Sequence, residues 1–236
     1  MPDTVVATAA SITELPGRAV RMQTESSETP SSPYVKSGLE KKRINVSKAC
    51  VIGLFIMAAS VQSNWAVDGI MSGTCLLIGI SLAVIGCLGR VWCSLFIDGF
   101  KTKQLVTCGP YSVCRNPLYF FSAVGAIGVA FGSATLAAPV LIAVCFAAYY
   151  PSIIKAEERR LVEIHGDSFR EYCSKVPAFF PKFSQAVTPE TYQIQTRLVM
   201  HSVTEATWFI WLTMLVHLLY QLHQRTDYLP TMFHSF

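Results

Sequence analysis

Residues 118–150, LYFFSAVGAIGVAFGSATLAAPVLIAVCFAAYY, decide the fold. The stretch carries no charged side chain and outruns the roughly 20 residues that one helix needs to cross about 30 Å of hydrocarbon. Gly132-Ser133 near its middle is a turn signal. The stretch is therefore expected to fold as a tight helical hairpin of two short arms, whose ends return to the same membrane face.

Outward from the hairpin, three further apolar blocks occupy residues 49–67, 70–97 and 203–222. Charged residues make up 14% of the 236 and hydrophobic ones 52%, whereas a water-soluble domain is usually about a quarter charged. The expected fold is all-α: a polytopic membrane protein with about five transmembrane or membrane-embedded helices. Its first partner is the lipid bilayer. The formal net charge of +4 is gathered at the ends of the apolar blocks, so it reads as a topology signal and not as a nucleic-acid face. Lys36, Lys41, Lys42, Arg43 and Lys48 precede the first block; Lys101, Lys103 and Arg115 follow the second; Lys155, Arg159 and Arg160 follow the hairpin. By the positive-inside rule these segments, and any site they carry, face the cytoplasm.

Residues 1–38 are rich in Ser, Thr, Glu and Pro without an apolar period, the composition of a disordered tail. Val5 to Ala10 is too short and lacks the basic flank of a signal peptide. Residues 39–183 are read as the membrane core and 184–236 as an extension with one apolar helix. From Ala206 that helix either spans the membrane or lies flat, anchored by Trp208 and Trp211. Cys75, Cys87, Cys93 and Cys145 sit inside apolar runs and the sequence has no CxxC pair, so the cysteines read as reduced structural thiols and no metal site is expected. Gly69, Gly73, Gly79, Gly86 and Gly89 read as packing positions. Arg90 after them is consistent with snorkelling to the headgroups.

Asp98 to Pro117, DGFKTKQLVTCGPYSVCRNP, is too rich in turn formers to continue a helix. Beyond the hairpin, Pro151 predicts a kink or a fresh start, and the charged helix SIIKAEERRLVEIHG stops at Gly166. A short helix follows from the capping-box spacing of Ser168 and Glu171. VPAFFPKF, with Pro177 and Pro181, suits an interface. No G-x-G-x-x-G after a strand, P-loop, H-E-x-x-H or G-x-S-x-G occurs, so chemistry is to be sought at the membrane face. There the antiparallel arms bring two distant polar patches to one side: Lys103 to Tyr119 entering the hairpin, and Glu157-Glu158 leaving it.

Those patches carry a resemblance. Leu105-Val106-Thr107-Cys108-Gly109-Pro110-Tyr111 and Arg115-Asn116-Pro117-Leu118-Tyr119 resemble LVTxGPY and R(H/N)PxY of the isoprenylcysteine carboxyl methyltransferase and phospholipid methyltransferase family. Glu157-Glu158-x-x-Leu161 and His165-Gly166 through Val176-Pro177 are similar to that family's EExxL…FGxxYxxYxxxVP pattern. The likeness covers about residues 85–183, including Gly89-Arg90-x-Trp92. It implies an S-adenosylmethionine pocket at the cytoplasmic face, made by the loop and the hairpin ends. Carried over, Lys103, Gln104, Leu105, Val106, Tyr111, Asn116, Pro117, Leu118 and Tyr119 line the cofactor, with Glu157 opposite. Arg115 and Glu158 are the candidate catalytic residues. Arg115 either pairs with the cofactor's carboxylate or braces Glu157 or Glu158. The partner implied is a lipophilic, membrane-associated methyl acceptor.

Two departures bear on the acceptor. Asn116 stands where many members have histidine, which removes a titratable imidazole. Ile153 stands one turn before the glutamates, where the prenylcysteine enzymes carry an arginine, and Lys155 is the nearest cation. A carboxylate acceptor such as a prenylcysteine-like C-terminus needs no general base, because the methyl leaves a sulfonium whose charge disappears in the transfer. The alternatives are a lipid amine, quinone or small thiol as acceptor, a nicotinamide-dependent membrane reductase, and a non-catalytic membrane scaffold. His165 reads as a packing residue, and His217 as a packed or cavity-facing one.

Overall fold

The computed structural model describes residues 61–63, 69–97, 104–192, 196–225 and 233–235. All of them fall within one compact unit, residues 37–236. The tail expected over 1–38 and most of the first apolar block lie outside the described residues. Within that block Val61–Ser63 is extended (β1) and pairs in parallel with Phe233–Ser235 (β2). The expected helix over 49–67 therefore does not include these three residues. Gln62-Ser63-Asn64 is a polar run, and Ser and Asn compete with the helical backbone for hydrogen bonds.

The rest is helical: α1 (Ile70–Ile97), α2 (Pro110–Val113), α3 (Pro117–Phe131), α4 (Ala137–Lys175), a 3-10 turn (Phe183–Gln185) and α5 (Thr196–Arg225). Segments Ile70–Ile97, Ala137–Lys175 and Val199–Arg225 are long and apolar enough to cross a membrane, and α3 is a shorter apolar helix. The chain is thus an integral membrane protein.

The hairpin forms with the short first arm that its sequence predicts, α3 of 15 residues, but its second arm is not short and continues into the 39 residues of α4. Pro117 occupies the first turn of α3, where its missing N–H is not needed. The turn after α3 is closed by Ser133, whose Oγ donates to the Ala130 carbonyl at 2.8 Å and lies 2.9 Å from Thr135 Oγ1. These polar groups are satisfied internally, as a turn at the edge of hydrocarbon requires. Glycines let α1 and α3 touch backbone to backbone. A Cβ on Gly86 would stand 2.6 Å from Gly125 Cα, and one on Gly128 would stand 2.6 Å from the Ala83 nitrogen. This is the close packing that small residues allow between helices in lipid.

At Pro151 α4 does not make a fresh start, one of the two outcomes expected there, but runs through. A proline in mid-helix removes one backbone hydrogen bond, and here the flanking turns hold without it. The break comes at Gly166, with φ 54° and ψ −126°, outside the left-handed helical well but open to glycine. The chain turns there and helix resumes to Lys175, so an elbow forms at the stop that the sequence marks.

α5 packs into the bundle. Its buried residues, Ala206, Thr213, Val216, Tyr220 and His223, fall on the seven-residue repeat of a coiled-coil seam, the last four at three- and four-residue spacing. Phe209 covers Gly125, and Thr213 contacts Gly132. Trp208 and Trp211 point outward, 63% and 65% exposed.

Candidate functional site

The two hairpin ends meet as the sequence predicts. The Tyr119 hydroxyl, on the first turn of α3, donates to Glu157 Oε2 on α4 at 2.8 Å. The Tyr150 ring stands edge-on to Tyr119, centroids 5.1 Å apart, and Phe146 backs Tyr150 at 4.4 Å. Glu157 is exposed, and its Oε1 has no hydrogen-bond partner among the described residues. Glu158, the neighbouring residue on the helix, points elsewhere. Its Oε1 lies 3.0 Å from Arg115 Nε, both side chains being largely buried at 24% and 15% exposure. Arg115 Nη1 also donates to the Cys173 carbonyl at 2.8 Å. Arg115 thus ties the loop to both limbs of the elbow and leaves Glu157 to the Tyr119 side.

Asn116 spends its amide on structure: Nδ2 donates to the Ala178 carbonyl at 2.9 Å and approaches Glu158 Oε1 at 3.5 Å. Tyr111 is 7% exposed, and its carbonyl accepts from the Tyr172 hydroxyl at 2.6 Å. Pro117 is buried and Leu118 half-buried. Gln104, Leu105 and Val106 lie in a non-helical stretch, Gln104 exposed and the other two half-buried. Lys103 lies outside the described residues. The structure therefore brings Arg115, Asn116, Tyr119, Glu157 and Glu158 together, and it places Tyr111 and Pro117 in the buried base of the loop.

Gly109 enforces the loop's path. At φ 60° and ψ −130° it adopts a conformation open to glycine, and a Cβ there would stand 2.5 Å from the Phe96 ring. Burial pushes the Cys114 thiol up to about 12 and the Cys108 thiol up from its ordinary value. Both therefore hold their protons at neutral pH and are poor nucleophiles.

Sequence reasoning missed the segment that holds the loop down. Residues 176–192 form a strap laid along it. Arg115 N–H donates to the Pro177 carbonyl at 2.8 Å, Lys182 N–H to Val113 at 2.8 Å, and Gly109 N–H to Val187 at 2.7 Å. Val187 N–H donates to Ser112 Oγ at 2.9 Å, and the Tyr192 hydroxyl donates to the Phe96 carbonyl at 2.6 Å. The available signal was proline: Pro177, Pro181 and Pro189 keep the strap out of regular structure, which leaves its backbone groups to find partners across a gap.

Arg90 also departs from expectation. It does not snorkel: Nη1 donates to Ser122 Oγ on α3, and the guanidinium lies 5.7 Å from the Phe209 ring of α5. His217 packs as read, Nδ1 being 3.3 Å from the Gly132 carbonyl and Nε2 3.1 Å from Gln221. In the elbow of α4 a groove of about 660 Å³ is lined by Lys155, Glu158, Arg159, Val162, Glu163, Phe169 and Cys173.

The Arg115–Glu158 pair is expected to brace the loop. Arg115→Met and Glu158→Gln should each destabilise the protein, and the double variant should fall short of their sum by roughly 1–2 kcal/mol in a double-mutant cycle. Unfolding in detergent measures it, and additive losses would mean that the pair carries no bracing.

The family model for phospholipid methyltransferase matches residues 69–168, a range that takes in α1, the loop, the hairpin and both glutamates. Two curated relatives extend the match. The nickel-cobalt-cadmium resistance protein NccN of Alcaligenes xylosoxydans xylosoxydans is 31% identical over 195 residues, 83% of this chain and 90% of the relative. The cobalt-zinc-cadmium resistance protein CzcN of Cupriavidus metallidurans is 34% identical over 202 residues, 82% of this chain and 91% of the relative. No solved structure matches the chain. This chain belongs to the phospholipid methyltransferase family, the group that its loop and glutamate motifs resemble.

Proposed function

We propose that this protein transfers a methyl group from S-adenosylmethionine to a membrane-associated acceptor, at a site facing the cytoplasm. The observation that carries the reading is the Tyr119–Glu157 hydrogen bond of 2.8 Å, which joins two motifs far apart in sequence at the mouth of the hairpin. The residues present fit the cofactor. Glu157 is an exposed carboxylate whose Oε1 can accept from an ammonium or a ribose hydroxyl. The loop at Gln104 to Thr107 is non-helical, so its backbone can offer donors and acceptors to a purine. Tyr119 and Tyr150 supply flat apolar wall.

When bound, the cofactor supplies an electrophilic methyl group on a sulfonium centre. The chain's own contribution is placement and dryness. Tyr119 fixes the Glu157 carboxylate, and the Arg115–Glu158 pair holds the loop against α4. Half-buried Leu105, Val106 and Leu118 thin out water around the acceptor. An acceptor that is already ionised needs no general base there, which supports a carboxylate, with a lipid amine, quinone or small thiol as the alternative class.

The relatives' names set the physiological context of the proposal as resistance to divalent metals. The proposed link to that context is methylation of a membrane component. The test is methyl transfer from labelled S-adenosylmethionine in membrane extract from cells grown with and without cobalt. The label is expected in one membrane acceptor, more strongly with cobalt. Dinucleotide binding in place of S-adenosylmethionine binding would replace this reading with a reductase, and no affinity for either would leave a scaffold.

A further inference from the structure

The strap exposes large apolar side chains although it lies beside a membrane-embedded helix. Phe180 is 77%, Phe183 61% and Val187 49% exposed. Phe179, between them and the bundle, packs edge-on against Phe120 on the first turn of α3, centroids 5.7 Å apart, so the strap runs at the level where α3 begins.

That level can be placed. α3 has 15 residues, about 22 Å of helix, against about 30 Å of hydrocarbon. Centred in a bilayer, α3 ends roughly 4 Å inside each edge. A segment stacked on its first turn therefore meets the boundary between acyl chains and headgroups and not bulk water, and aromatic side chains are the residues that boundary favours. Lys182, exposed between Phe180 and Phe183, suits the phosphate level just above it.

We infer that the 176–192 strap is an interfacial anchor: Phe180, Phe183 and Val187 insert into one leaflet of the bilayer, and the inserted strap holds the 104–116 loop in place. The coupling is built from the backbone bonds already described, Arg115 to Pro177, Lys182 to Val113 and Gly109 to Val187. Lipid on one side of the strap and the loop on the other share a single layer of backbone. Detergent that fails to order the strap should loosen the loop, while the glycine-packed α1–α3 contact is indifferent.

Both halves are tested on the full chain in phosphatidylcholine nanodiscs, without cofactor, so failure of the methyltransferase reading would leave the outcome interpretable. Phe180→Trp should add emission that is quenched by lipid brominated at upper acyl positions, less by lipid brominated near the chain ends, and not by aqueous iodide. Ser168→Trp, exposed on the elbow, should respond to iodide only. In Phe180→Asp/Phe183→Asp the amides of 104–116 should exchange about tenfold faster with those of α1 and α3 unchanged, as a local opening requires. Phe180→Leu/Phe183→Leu should restore the slow exchange. Iodide quenching at position 180 would overturn the insertion, and unchanged loop exchange in the aspartate variant would overturn the coupling.

Discussion

Glu157→Ala is expected to lower the affinity for S-adenosylmethionine about a hundredfold, since losing a charged hydrogen-bond partner costs about 1.5–3 kcal/mol and tenfold is about 1.4. The carboxylate is exposed and, among the described residues, is held by Tyr119 alone at 2.8 Å, so removing it should leave folding and membrane insertion intact. A graded series sharpens the claim. Glu157→Gln keeps the shape and one acceptor oxygen but removes the charge, and should lose less. Tyr119→Phe keeps the ring against Tyr150 and removes only the hydroxyl that orients the carboxylate, so about tenfold is expected. Tyr119→Ala removes the wall as well and should approach the Glu157→Ala loss. Calorimetry on detergent-purified protein measures all four. Unchanged affinity across the series would sink the assignment of this pair to the cofactor, whatever the protein's activity.

The second large effect lies in the bundle. A Cβ at Gly128 would stand 2.6 Å from the Ala83 nitrogen and 2.7 Å from the Gly79 carbonyl oxygen. Both are backbone atoms of α1, so no side chain can rotate away and the helices must separate. Gly128→Val should therefore cost about 3 kcal/mol, the upper end of ordinary overpacking, and the folded fraction in detergent should fall accordingly. Gly73→Val is the control, because a Cβ there meets nothing within 4 Å. Equal stability of the two variants, read by thermal unfolding, would mean that α1 and α3 are not in backbone contact. Because α3 carries Tyr119, separation would also pull the hydroxyl away from Glu157, and cofactor affinity should fall along with stability.

Much of this arrangement is legible in the chain. The length of 118–150 against bilayer thickness, with Gly132-Ser133 inside it, determines a hairpin whose ends share a face, and from that the meeting of Tyr119 with Glu157 follows. Gly166 marks the elbow because few other residues take its positive φ. These are local properties, set by composition, reach and backbone freedom. Other features are not local. Nothing in residues 176–192 names the loop as partner; prolines say only that the backbone is unpaired, and three-dimensional proximity decides that Pro177, Lys182 and Val187 pair with the loop backbone. The placement of Arg90 is likewise a tertiary decision, because an arginine at a span's end has two low-energy choices, and Ser122 with the Phe209 ring supplies the inward one.

The last helix shows the division most clearly. Sequence determines that residues from Ala206 form an apolar helix, and its composition leaves spanning or lying flat open, since Trp208 and Trp211 suit either. The tertiary structure packs it into the bundle by shape. Gly125 in α3 and Gly132 just after it leave room that the Phe209 ring and the Thr213 backbone occupy, and a helix packed along α1 and α3 reaches both. Hydrophobicity drives a helix into the membrane, but inside lipid it no longer discriminates among neighbours. Which helices then touch depends on the fit of small residues against large ones across the bundle, and that fit exists only once the chain has folded.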